Sequence, residues 1–285
     1  MKENLLDLIA YHEKWHSKAQ SGRTRYFYNT NDFLIEEIFR RLEITQGVFV
    51  EFGAWDGVLL SNTRRLFERG WGGILIESHP ERYEMLKNNY MEYDYVITIN
   101  QFLDTKDNLI DNIFEENLTR NIDFCSIDID GLDLDIFETF KINLPKVVCI
   151  EGGQVLHPFH ERVTTHISQD NIQQSLSVMN EVFESKGYKL LCAYQDAFFI
   201  KEEYYHLFDV EKNLMNHYID GLLALPRIPY IKSLLYRNNL TNEVLDKALK
   251  GVPYYSLNLG DKASKMMWID NNYTRIRQNL EELRQ

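Results

Sequence analysis

Two short apolar runs, each ending in a carboxylate, constrain the fold of this chain more than any other feature. The first, Val48-Phe-Val-Glu-Phe52, breaks into the turn Gly53-Ala-Trp-Asp-Gly57; the second is Gly73-Ile-Leu-Ile-Glu77, followed by Ser78. Runs this short and this apolar read as buried parallel strands. Between them lies the amphipathic stretch Asn62 to Arg69, so the segment reads as one βαβ unit with a ligand loop after its first strand. Gly53 and Gly57 permit backbone that a Cβ would block, and a helix start offers N–H groups. Glu77, at the tip of the second strand, stands where a carboxylate can accept both hydroxyls of a ribose, because open parallel sheets bind ligands at the carboxyl ends of their strands. The loop departs from G-x-G-x-x-G, since Trp55 and Asp56 occupy the place of the second glycine and its neighbour. A pyrophosphate is thereby disfavoured, and Asp56 suits a ligand with a cationic end, an ammonium or a sulfonium.

Two further strand ends follow. Phe124-Cys-Ser-Ile-Asp-Ile-Asp-Gly131 carries Asp128 and Asp130, and Val147-Val-Cys-Ile-Glu151 ends in Glu151. Taken in order, Glu51 to Gly57, Leu75 to Glu77, Phe124 to Gly131 and Val147 to Glu151 resemble the successive strand ends of the FkbM-type class I methyltransferases, over about positions 26 to 200. The resemblance implies a Rossmann-like α/β sheet, mostly parallel with an antiparallel edge hairpin. It also implies S-adenosylmethionine as cofactor and O-methylation, often of a sugar. It places the cofactor on Glu51, Gly53, Ala54, Asp56, Gly57, Asn62, Glu77, Ser78, Gln101, Phe102 and Asp128. After Glu151 the chain departs from relatives that resemble Ile-Glu-Tyr-Asn, reading Gly152-Gly153-Gln154 instead, a difference that bears on the acceptor.

Asp128 and Asp130, two apart on an extended strand, point to one face, and like charges held close ask for a cation or a proton. With Glu151 on the adjacent strand, and His157 and His160 in the next loop, the set suits Mg²⁺, Mn²⁺ or Ca²⁺, and Fe²⁺ or Zn²⁺ once a histidine joins. Metal ligation by Asp128, Asp130, Glu151 and His157 stands beside a second reading, in which Asp128 orients the cofactor and Asp130 caps a turn. His157, with Pro158 stiffening the loop behind it, is the candidate base, beside Asp128 and Asp130 as catalytic acids. His166 is a further candidate.

At 285 residues, 44% hydrophobic and 26% charged, the composition is that of a globular protein. The expected organisation is an N-terminal helical segment at 1–45, a core at 46–203 and a C-terminal helical extension at 204–285. Helices are expected over about 3–20, 32–42, 80–90, 133–140, 173–186 and 270–283. Strands are expected at 95–100, 122–129 and 146–150, and a hairpin at 188–194 and 197–200. Ser21 to Tyr28, basic and aromatic, corresponds to a segment that closes the cofactor pocket in the resembling family, or else packs on the core. The apolar stretch Leu222 to Ile231 suggests docking on the core or on a second subunit, a homodimer through the helical ends. Three cysteines without C-x-x-C spacing read as buried small hydrophobes. A net charge of -12 opposes nucleic acid, no run reaches the ~20 apolar residues of a membrane span, and the first residues do not resemble a signal peptide, so a cytoplasmic location is expected. The expected partner is a small-molecule or nucleotide-sugar acceptor. Two other classes compete: a metal-dependent glycosyltransferase using Asp128-Ile-Asp130 as D-x-D, which leaves the Glu51 to Gly57 turn without a purpose, and a non-catalytic binding module.

Overall fold

The computed structural model describes residues 5–6, 31–105, 109–117, 121–153, 156–163, 173–194, 196–210, 212–224, 243–248, 250–251, 272 and 274–284. Apart from Leu5 and Leu6, which are helical, the helix expected over 3–20 lies outside the described residues, as do the segment Ser21 to Tyr28, His166 and most of the stretch Leu222 to Ile231.

Helix α1 (Asn31–Arg41) precedes β1 (Val48–Phe52), α2 (Arg64–Glu68), β2 (Gly72–Glu77), α3 (Pro80–Tyr90) and β3 (Val96–Asn100). Then come α4 (Leu109–Asn117), β4 (Phe124–Ile127), α5 (Asp133–Thr139), β5 (Val147–Glu151), α6 (Leu176–Ser185) and the strands β6 (Tyr188–Ala193) and β7 (Asp196–Lys201). Helices α7 (Glu202–Tyr205), α8 (Leu214–Ala224) and α9 (Glu243–Ala248) follow, and residues 274–282 are helical.

The seven strands form one sheet in the order β3-β2-β1-β4-β5-β7-β6. Strands β1 to β5 pair in parallel, with Val50 level with both Ile74 and Cys125. Strand β7 runs antiparallel between β5 and β6, with Glu151 opposite Asp196. This is the mostly parallel Rossmann-like sheet with an antiparallel edge hairpin that the resemblance implies. Its central strands are covered on both faces, which is why β4 and all of β5 but its last residue are fully buried.

Aromatic side chains fill the layers between sheet and helices. Phe183 of α6 stacks on Phe137 of α5 at 3.9 Å and on Phe199 of β7 at 3.8 Å between ring centroids. Around Trp71, Phe39 packs edge-on at 4.7 Å, and the indole N–H donates to Thr45 O. Cys125, Cys149 and Cys192 are free and buried. Pro80 opens α3, where its missing N–H costs nothing. Ser175 caps α6, its Oγ accepting from Val178 N, so that helix starts at Leu176, three residues later than its apolar pattern suggests. Among the described residues, no helix is long and apolar enough to cross a membrane.

Two local features differ from expectation. Helix α4 is not visible in the sequence pattern: it is short, with polar neighbours, and buries Ile110, Asp111, Ile113 and Phe114. Asp111 takes the N–H groups of Lys141 and Ile142, so even its buried carboxylate is structural. Helix α2 is shorter than its amphipathic run, because Asn62 and Thr63 belong to the loop before it.

Candidate active site

The carboxyl ends of β1, β2, β4 and β5 open into a cavity of about 470 Å³. It sits where the chain, having built β1, β2 and β3 outward, returns to lay β4 on the other side of β1, the place where such sheets hold ligands. Glu51, Gly53, Ala54, Asn62, Glu77, Ser78, Gln101, Phe102, Asp128, Asp130 and Glu151 all line it. Asp56, Gly57 and His157 do not. Sequence reasoning passed over Trp55, Leu59, Leu60, Ser61, Ile76, Arg82, Leu103, Ile129 and Leu132, which complete the wall. Arg82 did leave a signal, since a cation in the first turn of a helix opposes the helix dipole.

The loop after β1 is shaped by close approach. Gly53 has φ +77°, and a Cβ there would lie 1.8 Å from the carbonyl oxygen of Asp128. Only glycine lets the β1 turn and the β4 turn touch. Behind the turn, Asp56 Oδ1 accepts the N–H groups of Val58 and Leu59, each at 2.8 Å. Gly57, at φ +71°, packs against Leu86 and Tyr90, and Tyr90 Oη donates to its carbonyl. Asp56 and Gly57 therefore hold the loop from outside the cavity.

Glu77 is buried. Its Oε2 accepts from Trp55 N at 2.9 Å and its Oε1 from His79 N at 2.7 Å. Each oxygen has a second lone pair, so the carboxylate both pins the loop and can receive ligand hydroxyls. Glu51, one strand over, is committed more heavily. It accepts from Ser61 Oγ at 2.6 Å, Asn62 N at 2.7 Å and Thr63 Oγ1 at 2.7 Å. Burial pushes its pKa up, and these bonds pull it partly back. Arg64 N already donates to Ser61 Oγ, so that N–H at the start of α2 is engaged within the loop.

Beneath this floor runs a buried polar layer. Asn62 Nδ2 donates to Ser126 Oγ at 2.9 Å, and Asn31 Nδ2 donates to Asn62 Oδ1 at 3.0 Å and to Asp196 Oδ2. Helix α1, the loop, β4 and β7 are thus joined under the cavity by buried side-chain hydrogen bonds, which help fix its geometry.

Asp128, Asp130 and Glu151 bring one oxygen each within 4.8 Å of one another. Strand alternation is not the cause, since β4 ends at Ile127. Asp130 adopts φ +61° and Gly131 φ +142°, and the Asp133 carboxylate clamps the turn by accepting Ile129 N at 2.8 Å and Gly131 N at 2.9 Å. Burial, and after it like-charged neighbours, raises Asp128, Asp133 and Glu151. Glu151 is pushed up to about 9 by burial, then by Asp128 and its other acidic neighbours; Asp133 is pushed up to about 6, chiefly by burial. Asp128 can be reached by solvent from the cavity, yet it lies deep among protein atoms and its pKa is well above the usual carboxylate range. Gln173 Nε2 donates to Glu151 Oε1, while Glu151 Oε2 and Gln173 Oε1 are buried with no hydrogen-bond partner among the described residues.

His157 stands apart from this cluster. Its Nδ1 accepts from Phe159 N at 3.3 Å, and the charges acting on it are Glu243, His160 and Lys247. Burial lowers its pKa.

No protein-family model matches the chain, and no curated protein does either. Among solved structures, the chain is similar to an O-methyltransferase from Bacillus cereus in complex with SAH, at 16% identity and a TM-score of 0.42, over 70% of this chain and 90% of that one. A second is M. capricolum TrmK in complex with S-adenosyl-homocysteine, at 11% identity and a TM-score of 0.41, over 87% and 98%. A third is a TehB-like SAM-dependent methyltransferase from Corynebacterium glutamicum, at 12% identity and a TM-score of 0.39, over 67% and 96%.

Proposed function

We propose that this chain is an S-adenosylmethionine-dependent methyltransferase of the FkbM type that methylates a hydroxyl of a sugar or nucleotide-activated sugar, with a divalent cation assisting. The observation that carries the reading is the position of Glu77. It is a buried carboxylate at the tip of β2, bonded to the Trp55 turn and opening on a cavity whose other acids are Glu51, Asp128, Asp130 and Glu151. Such a donor set suits a ligand with a ribose diol at one end and an ammonium and sulfonium at the other. It repels a diphosphate from the floor.

Glu77 would hold the ribose, Gly53 and Ala54 the methionine portion, and Ser78, Gln101, Phe102 and Leu103 the adenine. Bound cofactor supplies a methyl group already activated on a sulfonium, so the chain has to position an oxygen and remove its proton. Asp128, which lines the cavity, is better placed for that proton than His157, which does not. Asp128, Asp130 and Glu151 are hard oxygen donors that fit Mg²⁺ or Mn²⁺, and a cation there would offset their mutual repulsion.

Purified protein incubated with methyl-labelled S-adenosylmethionine and a panel of sugars and nucleotide sugars tests the reading. Label should pass to a hydroxyl, and chelation should abolish transfer while S-adenosylhomocysteine still binds. Absence of S-adenosylhomocysteine binding would refute the cofactor assignment; full turnover after exhaustive chelation would remove the metal.

A further inference from the structure

The loop after β1 places two bulky residues in the left-handed region, Trp55 at φ +50° and Leu60 at φ +59°. Backbone of this kind is unfavourable for residues with a Cβ. Both residues line the cavity and face outward, Trp55 being 43% and Leu60 63% exposed. A tryptophan held in strained backbone and left half in water contributes little to the core, which marks the position as functional.

Over that indole lies the guanidinium of Arg82, 3.7 Å from the ring centroid. Arg82 is the one basic side chain among the described residues lining the cavity, and no carboxylate among the described residues pairs with it. It occupies the first turn of the eleven-residue helix α3, where the helix dipole disfavours a cation. An anion would be welcomed there by both the guanidinium and the helix end. The acids of the floor keep such an anion at the rim.

We infer that Trp55 and Arg82 form the recognition platform for the acceptor, with a ring packed on the indole and a phosphoryl group paired with the guanidinium. The acceptor is then a phosphorylated sugar or nucleotide-linked sugar and not a free sugar. The inference rests on the methyl-transfer reading only in calling this ligand the acceptor. An aromatic face with a guanidinium beside it accepts rings of differing identity and takes its selectivity from the anion. A nucleoside diphosphate and a sugar phosphate share that chemistry.

Calorimetry on the full chain, with and without saturating S-adenosylhomocysteine, would use uridine 5'-diphosphate and glucose 1-phosphate as probes, against uridine and glucose. At least one phosphorylated probe should bind tenfold or more tighter than its uncharged counterpart, and which one does identifies the source of the phosphoryl group. Arg82→Ala should erase that advantage, Arg82→Lys should keep part of it, and both variants should bind S-adenosylhomocysteine within threefold of wild type. Trp55→Ala should weaken the phosphorylated and uncharged probes by similar factors. No preference for phosphorylated probes in the wild type, or a preference that survives Arg82→Ala, overturns the platform. A tenfold loss of S-adenosylhomocysteine affinity in Arg82→Ala also overturns it, by moving the arginine to the cofactor. Wild-type protein that prefers phosphorylated probes but binds no S-adenosylhomocysteine would sink the methyl-transfer reading and leave the anion site standing.

Discussion

Glu77 and Glu151 end two strands of one sheet, β2 and β5, with β1 and β4 between them. Glu77 accepts two backbone N–H groups. Removing its carboxylate should cost hydrogen bonds of about 1.5–3 kcal/mol each, so Glu77→Ala should bind S-adenosylhomocysteine at least roughly tenfold more weakly. Glu77→Gln retains one acceptor and should fall between the two; calorimetric affinities equal to wild type in both variants would remove the ribose assignment. Glu151 is crowded by acids and its pKa is raised from 4.5 to about 9. The unfolded chain gives up this proton near the ordinary value, while the folded chain holds it until about 9. Its contribution is therefore fully present below the unfolded pKa and is lost as pH rises toward the folded one. Melting temperature should fall between about pH 6 and about pH 8.5 in the ligand-free wild type, and less steeply in Glu151→Gln. Parallel slopes in the two proteins would show that the carboxyl does not carry this proton.

At the scale of elements, the strands were legible because burial on both faces leaves unbroken apolar runs: Val147-Val-Cys-Ile150 admits little else. The carboxylates at their tips were legible for the same reason, an acid directly after such a run having nowhere to go but the sheet's edge. What the sequence concealed came from turns and side-chain bonding. The meeting of Asp128 and Asp130 depends on a left-handed turn clamped by Asp133, and the outward placing of Asp56 depends on its bonds to Val58 and Leu59. Neither has a periodic signature. Helix α4 was hidden because a short amphipathic stretch among asparagines and charges resembles a loop. The β1 turn offers a direct test: Gly53→Ala brings a Cβ to 1.8 Å from a backbone oxygen at φ +77°. The conformation alone costs about 1–3 kcal/mol, and the contact adds to it. Urea denaturation should show that loss together with weakened S-adenosylhomocysteine binding; an unchanged midpoint would mean that the two turns are not tightly apposed.

For the whole molecule, the net charge of -12 produces a field that draws cations toward the chain and holds polyanions off. An anionic acceptor therefore needs a local cation to dock, and salt should help it by screening the rest. Ligand binding should be visible globally. At about a hundred times its dissociation constant, S-adenosylhomocysteine adds about 2.7 kcal/mol, which should raise the melting temperature by roughly 5–10 °C in a chain of this size. No shift at that concentration would argue against a site in the native fold. The strand order also sets a problem in time. Strand β7, last of the seven to be synthesised, lies between β5 and β6, so the apolar flank of β5 waits open while β6 emerges before the strand that belongs beside it. Both β6 and β7 are antiparallel to each other and joined by a tight connection, and such hairpins close in about 1–10 μs, against a synthesis rate of about 5–20 residues per second. Local closure outruns the ribosome, so β6 and β7 can dock as a finished pair as soon as β7 has emerged, and the interval in which β6 faces the waiting edge alone is set by synthesis and not by folding.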